Sequence, residues 1–263
     1  MRVEHLVIVT FPKRGDAETE GLGNALYDRY VKRQQFRPRT ASVIRFPPNQ
    51  FRNDSTLDKF KNTMPSFDVL KGTAPSGSSA VQTSDNVGAY IVCHGYTRRP
   101  LILGAQYSSG RCQSWPPEDY ASVMANLLYG LGLRKLRKVC LMVCGTEEAH
   151  SSGDPRLAEV LSVALAKKMD SPPAVAGYDG YISAFWNKED TDFPNAPEAQ
   201  TGKKIIKISN KGNDKRVLAS ENRDAVKSIK FVSINGKTAT LASSGWSDKD
   251  RGEDWTPTLD AIQ

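Results

Sequence analysis

The sequence contains no long apolar run and no signal-peptide pattern. No stretch approaches the roughly 20 apolar residues that a membrane-spanning helix needs, so we expect no membrane span. The first residues, from Met1 to His5, pass directly into a short strand-like run, which argues against Sec-type secretion. We therefore expect a protein that is cytoplasmic or exported without a Sec signal.

Cysteine is scarce, with four residues among 263. That number is too small for a disulfide scaffold, and Cys93, Cys140 and Cys144 lie within or at the ends of apolar runs, so we expect thiols in a reducing compartment. No closely spaced CxxC pair occurs. A zinc site is the rival use of these thiols, but neighbouring residues on a strand point to opposite faces, so Cys93 and His94 would not share one ion. We predict no metal site.

The sequence is basic, and the excess of positive charge is concentrated in one segment. The net charge is +7, and residues 203–237 contain ten Lys or Arg residues against three acidic ones. One interpretation is a solvated sheet edge, because Lys is often used to protect exposed strands. The other is a binding site for a polyanion. Nucleic acid is not an expected partner, because aromatic residues are lacking among the basic ones.

Short apolar runs and helical patterns alternate through the first 178 residues. Runs typical of buried strands occupy residues 5–11, 40–46, 87–95, 138–145 and 174–178. Apolar residues at helical spacing lie between them, at residues 22–31, 120–128 and 157–165. This alternation predicts an α/β fold in which parallel strands are joined by right-handed helical crossovers.

Two regions depart from this alternation. Residues 47–86 are rich in Pro, Ser, Asn and Thr, and we predict a long surface excursion whose most flexible part is 74–80. Beyond about residue 200 the segments become short, and Asn235-Gly236 is a strong hairpin signal because both residues tolerate the positive φ of a type I′ turn. We therefore predict a core over residues 1–200 and a β-hairpin or flap extension over residues 201–263, packed on that core.

Two of the strand-like runs end in a reactive side chain that is followed by glycine. One run ends in His94-Gly95, and the other ends in Cys144-Gly145. Residues at the carboxyl ends of neighbouring parallel strands converge on one crevice. We therefore expect His94 and Cys144 to face each other across that crevice.

This pair has the chemistry of a thiol nucleophile and its base. An imidazole such as that of His94 is the commonest partner that generates a reactive thiolate, here at Cys144. The backbone N–H groups of Gly95 and Cys144 are suited to hold an oxyanion, because glycine lets a substrate carbonyl approach the main chain. His150, six residues after Cys144, is the alternative base.

The order and spacing of these residues resemble the caspase-like cysteine peptidases of clan CD, in particular the protease domains of bacterial toxins and effectors. In that clan an apolar run ends in His-Gly, as at His94-Gly95, and the next strand ends in the nucleophilic cysteine, as at Cys144, about 50 residues later. Val143 stands where the clan usually has Ala or Gly, and Gly145 replaces the Arg or Ser often found next. The caspase pentapeptide is absent, so aspartate specificity is not implied.

The resemblance implies a caspase-like three-layer sandwich with a mostly parallel central sheet and a β-rich extension. It also implies a cysteine endopeptidase that cleaves a polypeptide substrate, or itself, through a catalytic dyad of Cys144 and His94. Members of the clan usually build the primary pocket from the loop after the first strand and from the segment after the strand beyond the cysteine. The corresponding residues here are Arg14, Tyr178, Asp179 and Trp186.

The charge of this pocket would decide the specificity. Asp179 at its floor would select Arg or Lys in the substrate, because a buried carboxylate needs a cationic partner. Arg14 in the same place would instead favour an acidic residue. An alternative interpretation is that Asp179 only caps a turn.

The basic segment has a counterpart in the same resemblance. Toxin protease domains of clan CD are switched on by inositol hexakisphosphate, which binds a Lys/Arg pocket beside a β-flap after the catalytic core. The dyad chemistry requires no cofactor, but an inositol polyphosphate or another polyanion is the implied activator, since phosphate clusters favour converging cationic donors. The residues in a comparable place are Lys203, Lys204, Lys207, Lys215, Arg216, Lys227 and Lys230.

Two other functions would use the same residues. In the first, the chain is a non-catalytic binding or scaffold protein on the same fold, and Cys144 is a buried packing residue, as cysteines often are. In the second, the thiol attacks a non-peptide amide or acyl bond, so that the chemistry is shared and only the substrate differs.

Overall fold

The computed structural model describes residues 3–11, 18–32, 38–47, 58–75, 79–84, 86–93, 116–143, 156–178, 181–185, 205–210, 213–218, 228–234 and 237–241. Within these ranges the strands and helices are β1 (His5–Phe11), α1 (Glu18–Lys32), β2 (Thr40–Arg45), β3 (Asp68–Gly72), α2 (Ser79–Thr83), β4 (Val87–Cys93), α3 (Pro117–Gly130), β5 (Leu136–Met142), α4 (Leu157–Lys168), β6 (Ala174–Tyr178), β7 (Tyr181–Phe185), β8 (Ile205–Asn210), β9 (Asn213–Leu218), β10 (Ser228–Ile234) and β11 (Lys237–Leu241).

Eight of these strands form one sheet, in the order β11-β10-β6-β5-β4-β1-β2-β3. The five strands β2, β1, β4, β5 and β6 run parallel to one another. β3 pairs antiparallel with β2, β10 pairs antiparallel with β6, and β11 pairs antiparallel with β10. The predicted α/β fold with a mostly parallel central sheet is therefore confirmed.

The chain winds in two directions from β1. β2 lies on one side of it, and β4, β5 and β6 follow in order on the other side. A right-handed crossover places its helix on one face of the sheet when the chain moves one way, and on the opposite face when it moves the other way. Accordingly, α1 packs on one face and α3 and α4 pack on the other. We call these the α1 face and the α3 face.

Side chains of the central strands alternate between the two faces, as the twofold repeat of a strand requires. In β4, Ile91 and Cys93 belong to the apolar cluster under α3 and α4, whereas Tyr90 and Val92 belong to the cluster under α1. All seven residues of β4 are buried. A strand covered on both faces is apolar throughout rather than alternating, which is why the sequence indicated it clearly.

The three long helices lie where their apolar stripes predicted them. The predicted stripe of α3 is buried, and α3 ends at Gly130. Two residues later, Gly132 has a φ of 82°, a backbone conformation that favours glycine. α4 begins at Leu157, and its buried residues include Leu157, Leu161 and Leu165. The predicted start of this helix at Asp154 and Pro155 lies outside the described residues.

The prediction of an irregular surface excursion over residues 47–86 is wrong for much of that segment. β3 pairs with β2 at an edge of the sheet, and α2 begins at the last two residues of the stretch predicted to be most flexible, of which residues 76–78 fall outside the described residues. Phe60 and Val81 are buried in the core of the α3 face. β3 was missed because both of its faces are partly exposed and it includes Asp68 and Lys71, so it lacks a strand-like apolar pattern.

The predicted hairpin at Asn235-Gly236 is confirmed by its flanking strands. β10 and β11 pair antiparallel, and Ile234 lies opposite Lys237, which leaves a two-residue loop. β7, β8 and β9 form a second, three-stranded antiparallel sheet. This second sheet joins strands from before and after residue 200, and β10 and β11 extend the main sheet. The division of the chain at residue 200 into core and extension stays a prediction.

In the described part of the chain, every helix is too short or too polar to cross a membrane.

Candidate active site

The carboxyl ends of three central strands lie level at one edge of the sheet. β1 and β4 are in parallel register, with Phe11 opposite Cys93. β4 and β5 are also in parallel register, with Val92 opposite Met142. The chain therefore leaves β1, β4 and β5 at the same edge, and β6 runs in the same direction beside β5.

The order of the strands reverses at this edge, between β1 and β4. Ligands of open α/β sheets bind in the crevice outside the carboxyl ends of the strands, at the point where the strand order reverses. In this sheet that point lies where Phe11 and Cys93 end their strands side by side. The topology thus marks the ends of β1, β4 and β5 as the place for a functional site.

The residues predicted for the site follow these strand ends in the chain but lie outside the described residues. This holds for both members of the dyad, for the oxyanion glycine, for the alternative base and for most of the pocket: His94, Gly95, Cys144, His150, Arg14, Asp179 and Trp186. Of the predicted pocket residues, Tyr178 is described as the last residue of β6. The nearest described neighbours of the predicted dyad are Cys93 and Val143.

Cys93, Val143 and the residues before them show which side chains lie on each face of the sheet at the ends of β4 and β5. Cys93 and Val143 are buried on the α3 face. The residues just before them, Val92 and Met142, lie opposite each other on the α1 face and are also buried. The side chains of β4 and β5 thus alternate in the same register at the sheet edge. Val92 and Met142 share the α1 face, and Cys93 and Val143 share the α3 face.

Directly beneath this edge, the thiol of Cys93 contacts the hydroxyl of Tyr120. The distance between Cys93 Sγ and Tyr120 Oη is 2.8 Å, and Tyr120 lies in the first turn of α3 with no exposed surface. Burial raises the pKa of the Tyr120 hydroxyl well above its usual value, and the adjacent Cys93 raises this pKa further. The apolar run near Cys93 and the helical stripe that contains Tyr120 predicted that both residues are buried, but not that they are in contact. A tyrosine on a buried helical stripe does indicate a polar partner in the core, because a buried tyrosine hydroxyl usually forms a hydrogen bond.

An aromatic group supports the end of β1 on the same face. The rings of Phe11 and Phe46 are stacked, with centroids 5.2 Å apart, and Phe67 meets Phe46 edge to face at 5.9 Å. Phe11 and Phe46 are fully buried. The end of β1 beside β4 is therefore held by well-packed rings, which restrict its movement.

The described thiols do not converge on one ion. Cys93 lies on the α3 face and Cys140 lies on the α1 face, so the sheet separates them. Neither of these two cysteines forms a disulfide. Among the residues that the structure describes, no three His, Cys, Asp or Glu side chains are grouped as metal ligands would be.

The chain has little similarity to known proteins at the level of sequence. No protein-family model matches it, and no curated protein sequence is significantly similar to it. Among solved structures, it is similar to a secreted C11 cysteine protease from Bacteroides thetaiotaomicron, determined in complex with an irreversible peptide inhibitor, with a TM-score of 0.32 and 9% sequence identity. The matched region covers 66% of this chain and 48% of that protease, so the chain spans about half the length of the structure it matches.

Proposed function

We propose that the chain is a cysteine endopeptidase in which Cys144 is the nucleophile and His94 is the base. The observation that supports this proposal is that β4 and β5, which are neighbouring parallel strands, end at the same sheet edge with the same side-chain alternation. His94 directly follows Cys93, and Cys144 directly follows Val143. Consecutive Cα atoms are about 3.8 Å apart and paired strands are about 4.8 Å apart, so the two residues are tethered to adjacent points of one sheet edge.

The alternation of side chains adds a second argument. Val92 and Met142 lie on the α1 face. If β4 continues for one more residue and β5 for two, the twofold repeat assigns His94 and Cys144 to that same face. A register shifted by one residue would have assigned them to opposite faces, and a dyad would then require a rearrangement of the strand ends.

The proposed reaction follows from the residue types. His94 removes the proton from the Cys144 thiol, and the thiolate attacks the carbonyl carbon of the scissile peptide bond. The N–H groups of Gly95 and Cys144 hold the oxyanion of the tetrahedral intermediate. His94 then returns the proton to the leaving amine as the C–N bond breaks. Water hydrolyses the remaining thioester, which restores the thiol.

The proposed pocket for the substrate side chain is formed by Arg14, Tyr178, Asp179 and Trp186. In the chain, Arg14 follows β1, Tyr178 is the last residue of β6 with Asp179 next to it, and Trp186 follows β7 of the second sheet. Asp179 at the pocket floor would make the enzyme cleave after Arg or Lys. Arg14 there would make it cleave after acidic residues.

Activation by a polyanion also stays a proposal. β8 and β9 pair so that Lys207 lies opposite Arg216. This backbone register places two of the basic residues on neighbouring strands, and phosphate clusters favour converging cationic donors. A polyanion is therefore proposed to bind at the three-stranded sheet.

The dyad is tested by substitution of each member. Cys144→Ala and His94→Ala should each lower peptide-library cleavage by about a thousandfold or more, because the two residues act as a unit. Cys112→Ala serves as the matched control and should leave cleavage unchanged. The far-ultraviolet circular dichroism and melting temperature of each variant check that the fold is retained. Cleavage by Cys144→Ala at the wild-type rate would end the proposal.

Thiol labelling separates the proposal from its two rivals. In a Cys112→Ser background, iodoacetamide near neutral pH should label Cys144 quickly, whereas Cys93 and Cys140 are buried and should label slowly. Fast labelling with peptide cleavage supports the peptidase. Fast labelling without cleavage of any peptide favours a thiol hydrolase that acts on another acyl or amide bond. Slow labelling of all three thiols favours a non-catalytic protein in which Cys144 is a packing residue.

A further inference from the structure

We infer that Cys93 and Tyr120 form a positioning pair that fixes the place of His94, an inference that rests on the proposed function. Cys93 is the last residue of β4, and Tyr120 lies in the first turn of α3. Residues 94–115 connect these two elements, and His94 is the first of them. The 2.8 Å contact between Cys93 Sγ and Tyr120 Oη therefore joins the two ends of the segment that begins with the proposed base.

The environment of the pair makes this contact persistent. Tyr120 is 0% exposed and Cys93 is 6% exposed, and both lie in the apolar core of the α3 face. A buried hydroxyl that loses its hydrogen bond pays a desolvation penalty, so the contact is favoured over its alternatives in this core. The backbone N–H of Tyr120 donates to the Pro116 carbonyl at 3.2 Å, which ties the tyrosine to the helix start.

The helix that presents Tyr120 is itself anchored. Asp119, the neighbouring residue, forms an ion pair with Lys61 at 2.6 Å, and Lys61 also pairs with Asp58 at 2.7 Å. Two turns further along α3, the Asn126 amide donates to the Phe60 carbonyl at 3.0 Å. The first turn of α3 is thus held against the segment that contains residues 58–60, and Tyr120 provides a fixed point for the end of β4.

The strand geometry explains how a contact on one face acts on the other. The side chain of Cys93 lies on the α3 face, and successive side chains of a strand alternate between faces. Fixing Cys93 therefore fixes the orientation of the peptide plane that leads to His94. A displacement of about 1 Å in a catalytic group can lower a rate about a hundredfold, so a base at the end of a strand needs such an anchor.

The Tyr120 hydroxyl does not titrate in the range where a cysteine peptidase works. Burial and the adjacent Cys93 raise the pKa of the Tyr120 hydroxyl well above its usual value, so the hydroxyl stays protonated. A change in the pH profile of a Tyr120 variant would then reflect an altered His94 and Cys144 pair, and not the loss of a titrating tyrosine. This property makes the pH profile a specific readout of positioning.

The test compares two tyrosine hydroxyl groups, one that contacts β4 on the α3 face and one that is carried by β4 on the α1 face. Tyr120→Phe removes the hydroxyl that contacts Cys93. Tyr90→Phe is the matched control: Tyr90 lies on β4, and its hydroxyl lies 2.7 Å from that of Tyr30 on the α1 face. Both substitutions delete one buried or half-buried oxygen, so they should lower the melting temperature by similar amounts. Their effects on kinetics should differ.

The two variants should differ in kcat and in the pH profile of kcat/KM. Tyr120→Phe should lower kcat about tenfold to a hundredfold with little change in KM, and it should shift the pH profile of kcat/KM. Tyr90→Phe should leave kcat and the pH profile at wild-type values. Cys93→Ser should retain near-wild-type kcat, because a distance of 2.8 Å suits an O–H···O hydrogen bond, whereas Cys93→Ala should behave like Tyr120→Phe.

Two outcomes would overturn the inference while leaving the peptidase intact. One is that Tyr120→Phe and Tyr90→Phe have the same kcat and pH profile in an active enzyme. The other, which also serves if Tyr120→Phe does not fold, is that Cys93→Ser and Cys93→Ala have the same kcat. A wild-type protein that neither cleaves peptides nor labels quickly at Cys144 would overturn the proposed function and this inference together.

Discussion

The two faces of the central sheet are covered in different ways. The α3 face is covered by α3 and α4, whose leucines interlock with the side chains of β4 and β5 in one large apolar cluster. The α1 face is covered by a smaller cluster, in which α1 supplies Leu22 and Leu26. One face thus depends on interlocking side chains from two helices, and the other on how closely one helix approaches the sheet.

Gly23 shows how close that approach is. A Cβ atom at this position would lie 2.5 Å from Thr10 Cγ2, and Thr10 is fully buried in β1. The absence of a side chain at Gly23 therefore lets the backbone of α1 rest on the sheet.

The largest expected effects are those of core truncations on the two faces. Leu127 of α3 is fully buried on the α3 face, and Leu26 of α1 is 1% exposed on the α1 face. Leu127→Ala should lower the free energy of unfolding by about 4 kcal/mol, and Leu26→Ala by about 3 kcal/mol, since a single covering helix can relax into the cavity more easily. Urea denaturation measures both. A larger loss for Leu26→Ala would contradict the view that the α3 face is the more tightly packed.

Smaller effects on the free energy of unfolding, with opposite signs, are expected for alanine substitutions at two glycines of α1. Gly23→Ala should destabilise the fold by about 1–2 kcal/mol, because the clash with Thr10 outweighs the gain in helix propensity. Gly21 is exposed and would place its Cβ in open space, so Gly21→Ala should stabilise the fold by about 0.5–1 kcal/mol. Urea denaturation of both variants checks the sign. Stabilisation by Gly23→Ala would show that α1 does not rest on the sheet at this point.

The sequence was sufficient to predict the elements that are buried on both faces. β1 and β4 are mostly apolar and are buried along their whole length, and the stripes of α3 and α4 recur at helical spacing. The adjacency of β4 and β5 followed from the rule that strands joined by a helix are parallel neighbours. These local patterns also predicted which sheet edge would hold the ends of the strands near His94 and Cys144.

Other features depend on partners that are distant in the chain. β3 is an edge strand with exposed charges, and only its pairing with β2 identifies it as a strand. β10 pairs with β6 across a large interval of sequence, which no local pattern specifies. The contact of Cys93 with Tyr120 likewise requires the position of α3 on the sheet. The chemistry assigned to Cys144 and His94 stays a prediction for the experiments above.

The smallest expected effect concerns the amino end of β1, opposite the proposed site. His5 is 2% exposed, and its Nδ1 lies 2.8 Å from Thr40 Oγ1. Burial lowers the pKa of His5; Glu4 raises it and Arg39 lowers it, both to a lesser extent. A buried neutral histidine therefore resists protonation in the folded state more than in the unfolded chain.

The sign of the pH dependence follows from this lowered pKa. As the pH falls through the unfolded value of about 6.5, the unfolded chain binds more protons, so His5 favours unfolding until its folded pKa is passed. The wild type should lose stability between about pH 7.5 and about pH 5.5 more steeply than His5→Asn, which keeps a polar atom near Thr40 but cannot titrate. Urea denaturation at both pH values measures this difference. Equal slopes would show that His5 titrates as freely in the folded protein as in the unfolded chain, and hence that the amino end of the sheet is open to water.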